Sequence, residues 1–126
     1  MERTFMQALE SRRTFYAIGS KSPVSDDQIE EVIKFAVKHV PSAFNSQSTR
    51  VVLLLGESHK RVWNIAKDIL RKIVPAEAFK GTEEKINNCF LAGYGTVLYF
   101  EDQDVVKGLQ DQFPSYADNF PVWSQQ

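Results

Sequence analysis

Two short polar segments hold the residue types in this sequence that best suit ligand chemistry. The first is Ser11-Arg12-Arg13-Thr14, where an amphipathic helix is predicted to end. Two adjacent guanidinium groups can bind a phosphate in a bidentate manner, and the Thr14 hydroxyl adds a further donor. Basic residues at a helix C-terminus also complement the helix dipole, so the segment has a purely structural explanation as well.

The second segment covers residues 41–47 (Pro-Ser-Ala-Phe-Asn-Ser-Gln). It joins the most clearly predicted helix to the most clearly predicted strand, and loops in such places often carry ligand-binding side chains. The hydroxyl and amide groups of Ser42, Asn45 and Gln47 both donate and accept hydrogen bonds, which suits the edge of a heteroaromatic ring. The same groups can instead satisfy the backbone of their own loop.

The rest of the sequence offers little catalytic chemistry. His39 and His59 are far apart and have no ligand partner at helical spacing. We therefore expect no metal site and place both histidines in solvent or at helix ends. There is no phosphate-binding glycine loop, no dinucleotide fingerprint and no hydrolase nucleophile motif. Because no pair of carboxylates stands out as a general acid and base, no catalytic side chain is assigned.

A capped helix and an apolar strand position the second segment. Ser25 and Gln28 form a capping box, and apolar residues follow at helical spacing until Pro41 ends the helix. The strand covers Arg50–Leu55. Its apolar residues do not alternate with polar ones, which predicts that both of its faces are covered.

The remaining patterns predict five helical segments and one further strand. The helical segments are Glu2–Arg12, His59–Val74, Thr82–Ala92, Asp104–Gln112 and a stretch that begins at Asp118, and the strand is Thr96–Phe100. Two strands alone make a marginal sheet, so we expect a partner chain or residues beyond Gln126 to complete it. A late aromatic stretch either packs in a core or interface or forms an apolar wall for a substrate; it comprises Phe113, Tyr116, Phe120 and Trp123.

Length and composition predict one globular domain over residues 1–126. The 15 basic and 16 acidic residues argue against a nucleic-acid surface. The longest apolar run, Val51–Leu55, is too short to span a membrane. The single cysteine, Cys89, cannot close an intramolecular disulfide, and the N-terminal residues do not predict a secretory leader. These features predict a soluble cytoplasmic protein.

Taken together, the two polar segments resemble the nitroreductase family of flavin oxidoreductases. The resemblance lies in their separation, the capped helix between them and the apolar strand that follows. Residues 93–102 (Gly-Tyr-Gly-Thr-Val-Leu-Tyr-Phe-Glu-Asp) and 119–124 (Asn-Phe-Pro-Val-Trp-Ser) resemble one branch of the family. That branch contains the fungal proteins linked to fatty-acid repression and their bacterial relatives. The resemblance covers essentially the whole chain.

The resemblance implies an α+β fold with a central sheet flanked by helices, built as an intertwined homodimer with flavin sites at the subunit interface. It implies FMN as cofactor, NAD(P)H as donor and a small nitroaromatic or quinone as acceptor, linked by ping-pong hydride transfer through flavin N5. The implied FMN contacts are Arg12, Arg13 and Thr14 at the phosphate and ribityl chain, and Ser42, Asn45 and Gln47 at the isoalloxazine ring, partly from the second subunit.

The sequence departs from the family pattern in three places. Ser48-Thr49 follows Gln47 where many members have proline and an aromatic residue, and Tyr16 stands where others often have a basic residue. The family domain also continues into a long helix, a glycine-bearing loop and further strands, so we expect a shortened form. The alternative function is therefore a non-catalytic protein or fragment that dimerises and binds flavin without turnover.

Overall fold

A computed structural model describes residues 3–125. The helices and one small sheet confirm the predicted α+β class. The elements in chain order are α1 (Phe5–Ser11), α2 (Asp26–His39), β1 (Thr49–Leu55), α3 (Gly56–Ile73), α4 (Ala76–Lys85), β2 (Gly95–Glu101), α5 (Gln103–Gln112) and α6 (Phe120–Trp123). Two 3-10 turns, Ala43–Asn45 and Pro114–Tyr116, and a π-helix, Ile86–Leu91, complete the list.

The chain divides into two compact units. The first contains residues 3–21 and 57–94, and the second contains residues 22–56 and 95–125. The assignment of residues 1–126 to one domain stays a prediction. No helix within residues 3–125 is long and apolar enough to cross a membrane.

In the first unit, α3 packs against α4 and the π-helix. The rings of Trp63 and Phe90 stack with centroids 4.7 Å apart. The Arg71 guanidinium forms an ion pair with Glu83 at 3.0 Å and lies 5.1 Å from the centre of the Phe79 ring. These contacts fix the two helical segments against one another.

One sequence prediction for the first unit is wrong. The predicted helix of residues 82–92 begins six residues earlier, at Ala76 after Pro75, because Gly81 lies inside α4 and does not mark its start. His59 lies in the first turn of α3, one of the two locations predicted for it. It is not solvated there: it is 3% exposed, and its Nε2 donates to the Leu91 carbonyl at 3.1 Å. The predicted start of α1 at Glu2 lies outside the described residues.

In the second unit, α2 forms as predicted, with the Ser25–Gln28 capping box in place. The strands β1 and β2 pair antiparallel, from Thr49 opposite Glu101 to Leu55 opposite Gly95. A Cβ atom at position 95 would lie 2.9 Å from the Leu54 carbonyl oxygen, so glycine permits the close approach of the two strands.

The prediction that both faces of the first strand are covered is wrong for this chain. Val52 on β1 is 42% exposed. On β2, Tyr99, which lies opposite Val51, and Phe100, which lies opposite Arg50, are 65% and 51% exposed. The reason is the size of the sheet: within residues 3–125 it has two strands, too few elements to enclose both faces.

Candidate functional site

The loop of residues 41–47, called the binding loop below, joins α2 to β1 and gathers three predicted site residues. The Asn45 amide donates to the Ser42 carbonyl at 2.9 Å, and the Gln47 amide donates to the Ser42 hydroxyl at 3.0 Å. The Gln47 side-chain amide donates to the Asn45 side-chain oxygen at 3.3 Å. Ser42, Asn45 and Gln47 therefore form one hydrogen-bonded cluster.

The backbone of the binding loop adopts an unusual conformation. Phe44, Asn45 and Gln47 have φ angles of 55°, 52° and 52°. Only glycine enters this left-handed region without a steric cost, although asparagine tolerates it better than most residues. Such strain persists where surrounding contacts impose it, and it is concentrated at ligand-binding and active sites.

The Phe44 side chain anchors the binding loop. Its ring lies 5.1 Å from the ring of Phe113 and 5.2 Å from that of Phe120, and it stacks on Trp123 at 6.2 Å. Phe120 is 1% exposed and forms the floor of this cluster. The late aromatic stretch thus serves packing, one of the two roles predicted for it, and it packs against the loop.

A second set of contacts holds the junction between the binding loop and β1. Ser48 and Thr49 donate from their hydroxyl groups to the Glu101 carboxylate. Arg50 forms an ion pair with Asp102 at 2.9 Å. Sequence reasoning missed these contacts and the anchoring role of Phe44. The available signals were an aromatic residue inside a polar loop and two acidic residues directly after an apolar strand.

The cluster of Ser42, Asn45 and Gln47 borders a cavity of about 830 Å³ in the second unit. This volume lies within the range of small-molecule sites in proteins. The lining also brings in two cations, Lys38 and Arg50, and the Glu101 carboxylate. The other lining residues are Ala36, Val37, His39, Val40, Pro41, Thr49, Tyr99, Ser124 and Gln125.

The other predicted site residues lie in the first unit, just after α1. Arg13 donates from Nη1 to the carbonyl oxygens of Glu10, at 2.8 Å, and Arg12, at 2.7 Å. These hydrogen bonds stabilise the end of α1, which is the structural role given above as the alternative to phosphate binding. Among residues 3–125, the guanidinium of Arg12 and the hydroxyl of Thr14 have no hydrogen-bond or ion-pair partner, and both residues are exposed.

The described part of the chain has no cluster of candidate metal ligands. Residues 3–125 contain no group of three or more His, Cys, Asp or Glu side chains that could hold a metal ion. The polar groups around the cavity include hydroxyls, amides, cations and the Glu101 carboxylate, which suit an organic ligand with hydrogen-bonding edges.

In fold and site, the chain is an α+β protein with a ligand-sized cavity beside a polar loop. Sequence comparison identifies its family. A model of the nitroreductase family matches residues 9–126. The chain therefore belongs to the nitroreductase family, which confirms the family prediction.

Two relatives from Saccharomyces cerevisiae support the predicted branch. The chain is 34% identical to the protein HBN1 over 123 residues, which cover 96% of this chain and 60% of HBN1. It is 35% identical to the nitroreductase FRM2 over 121 residues, which cover 94% of this chain and 58% of FRM2. The chain thus spans about three-fifths of the length of these relatives.

A solved structure agrees with the fold. The nitroreductase CinD from Lactococcus lactis, in complex with chloramphenicol, is 42% identical and superposes with a TM-score of 0.79. The match covers 98% of this chain and 61% of CinD. CinD has also been solved in complexes with nicotinic acid and with 4-nitrophenol.

Proposed function

We propose that this protein is an FMN-dependent NAD(P)H oxidoreductase that reduces nitroaromatic or quinone-like acceptors. The observation that carries the proposal is the cluster of Ser42, Asn45 and Gln47 at the rim of the cavity, in a chain of the nitroreductase family. Bound FMN would supply hydride transfer at flavin N5, with NAD(P)H as the donor. The acceptor binds in the place of NAD(P)H after the donor has left, which is a ping-pong order.

The donor set of the binding loop fits the ring of FMN. The isoalloxazine ring carries hydrogen-bond donors and acceptors along one edge, and amide side chains offer both. Asn45 and Gln47 supply such amides at the cavity, and Ser42 supplies a hydroxyl. We assign these three residues to the ring.

The segment after α1 fits the other end of FMN. The phosphate is an anion, and guanidinium groups bind phosphates through charge-assisted hydrogen bonds. We assign Arg12 and Arg13 to the phosphate and ribityl chain, with Thr14 as an additional donor. The absence of a partner for the Arg12 guanidinium within residues 3–125 supports this assignment, because the group remains available to a ligand.

We propose that the protein acts as a homodimer in the cytoplasm. The outward face of α2 exposes Val32 and Phe35 by 69% and 66%, and α1 exposes Phe5 by 76%. Apolar surfaces of this kind mark protein interfaces, and a second copy of the chain is the commonest partner. The single cysteine suits a reducing compartment.

The acceptor class is supported by CinD, which was solved with two nitroaromatic molecules, chloramphenicol and 4-nitrophenol. In this chain, no described group needs to act as an acid or base at the acceptor, since the cofactor carries the electron transfer. What the side chains do is bind and orient the flavin ring, and the cavity admits a flat acceptor beside it.

Reduction of bound FMN tests the proposed function. The purified protein saturated with FMN should have flavin absorbance bands that bleach when NADH or NADPH is added without oxygen. The bands should return when 4-nitrophenol or a quinone is added. Protein that retains FMN but does not bleach would favour the non-catalytic alternative, and protein that does not bind FMN would overturn the proposal.

A further inference from the structure

Two neighbouring carboxylates lie where β2 ends, and both contact the residues that follow the binding loop. Glu101 accepts hydrogen bonds from Ser48 Oγ at 2.5 Å and from Thr49 Oγ1 at 3.2 Å. Asp102 Oδ2 accepts a charged hydrogen bond from Arg50 Nη2 at 2.9 Å. The backbone repeats the connection, because the Asp102 amide donates to the Ser48 carbonyl at 2.9 Å.

The second of these carboxylates is linked to Gln47 through Arg50. While Nη2 of Arg50 contacts Asp102, its Nη1 donates to the Gln47 carbonyl at 2.9 Å. A guanidinium is a rigid planar fork, so fixing one nitrogen fixes the direction of the other. The Asp102 carboxylate therefore helps to fix the guanidinium whose Nη1 contacts the Gln47 carbonyl and, at 3.1 Å, the Thr49 carbonyl.

Gln47 needs such a restraint more than most residues do. Its φ angle of 52° is unfavourable for a side chain with a Cβ atom, and it would relax to a negative value if unrestrained. The Ser42 hydroxyl holds its amide on one side, and Arg50 holds its carbonyl on the other. The direction of the Gln47 side chain, and with it the amide offered to a ligand, depends on both.

The ion pair contributes little to folding by itself. The side chains of Arg50 and Asp102 are 53% and 32% exposed, and exposed pairs of this kind contribute little to stability. Asp102 also has a separate structural role, because its Oδ1 accepts from the Asp104 amide and caps α5. The contact with Arg50 is thus an additional feature that the helix cap does not require.

We propose that Asp102 is a positioning residue that acts through Arg50 to orient Gln47 at the flavin ring. The inference rests on the proposed function, since it assigns a flavin contact to Gln47. Asp102 does not line the cavity, whereas Arg50 and Glu101 do. A change at Asp102 therefore alters the binding loop without altering a group that a ligand touches.

The experiment compares Asp102→Asn and Asp102→Ser with Asp104→Asn. Asparagine and serine are both good N-cap residues, so α5 keeps its cap and the unfolding midpoint should stay unchanged. Asp104 is exposed in the first turn of the same helix, and its replacement removes one negative charge without touching Arg50. It is the matched control for charge.

We expect both Asp102 variants to raise the FMN dissociation constant about threefold to fivefold, with no change for Asp104→Asn. The visible circular dichroism of bound FMN should change in the same two variants, because it reports how the ring is oriented. Backbone NMR of the FMN-free protein should show Gln47 leaving the left-handed region in them. Two results would overturn the inference. In the first, the two Asp102 variants and Asp104→Asn have the same FMN affinity and the same circular dichroism. In the second, the Asp102 variants bind FMN more weakly, but their Gln47 φ angle is unchanged.

The NMR measurement separates this inference from the proposed function. If the unmodified protein binds no FMN, the proposed function fails, and so does the flavin role of Gln47. If FMN binds and bleaches normally while Gln47 keeps its φ in both Asp102 variants, only the positioning role of Asp102 fails.

Discussion

The binding loop and the segment of residues 12–14 are assigned to the same cofactor, but they are held in very different ways. The loop is fixed by hydrogen bonds from Ser42, by the aromatic contacts of Phe44 and by the link from Asp102 through Arg50. After α1, by contrast, Arg12 has an exposed guanidinium without a partner among residues 3–125. The loop is organised before a ligand arrives, whereas in the arginine segment only Arg13 is held, by the carbonyls of Glu10 and Arg12.

This difference matches what each end of a flavin requires. Reaction at the ring depends on geometry, so the groups that face it gain from being held in place before binding. The phosphate is a symmetric, charged group that long flexible side chains can follow, although ordering them on binding costs entropy. We therefore expect the loop to determine orientation and the arginine segment to determine affinity.

Removing the buried ring of the aromatic cluster should destabilise the binding loop and the fold around it. Phe120→Ala deletes a ring that is 1% exposed and contacts Phe44, so the free energy of unfolding should fall by about 3–5 kcal/mol. Urea denaturation measures this change. Val122→Ala is the matched control, because Val122 lies in α6 as well but is 57% exposed. A similar small loss in both variants would mean that the cluster does not anchor the loop.

The elements around the loop could be predicted because their signals are local. The Ser25–Gln28 capping box and the apolar spacing after it depend on neighbouring residues, and they define α2 as the structure has it. The strand β1 likewise follows from a short apolar run. The start of α4 differs from the prediction because glycine is unfavourable inside helices, whereas the structure has Gly81 in the middle of α4.

The conformation of the loop could not be predicted in the same way. Ser42, Asn45 and Gln47 were identified by residue type, but the Gln47 backbone is held by Arg50, whose guanidinium contacts Asp102, 52 residues later in the sequence. Glu101, for example, contacts a serine 53 residues earlier. Contacts of this kind depend on the pairing of β1 with β2, which residue types alone do not specify.

Changing Arg12 should separate affinity from stability. Arg12→Ala should weaken FMN binding by about 1.5–3 kcal/mol, roughly tenfold to 150-fold, if its guanidinium binds the phosphate. Isothermal titration measures this loss. The unfolding midpoint should not move, because the group has no partner within residues 3–125. Arg3→Ala removes a basic residue that contacts Ser11 instead, and it should leave FMN affinity unchanged.

The loop itself should show a trade-off between stability and binding at Gln47. Replacing this residue with glycine removes the steric cost of its φ of 52° and should stabilise the fold by up to about 1 kcal/mol. The same change removes the side-chain amide assigned to the flavin ring, so FMN binding should weaken. Gln47→Ala is the matched control: it also loses the amide but keeps the Cβ atom and its strain.

The two variants should therefore weaken FMN binding, while only Gln47→Gly gains stability in denaturant unfolding. If neither variant binds FMN less tightly than the unmodified protein, the ring contact of Gln47 is wrong. If glycine and alanine have equal stability, position 47 is not strained, and the loop is held by its hydrogen bonds alone. Either result would remove the contrast between an organised loop and an adaptable arginine segment.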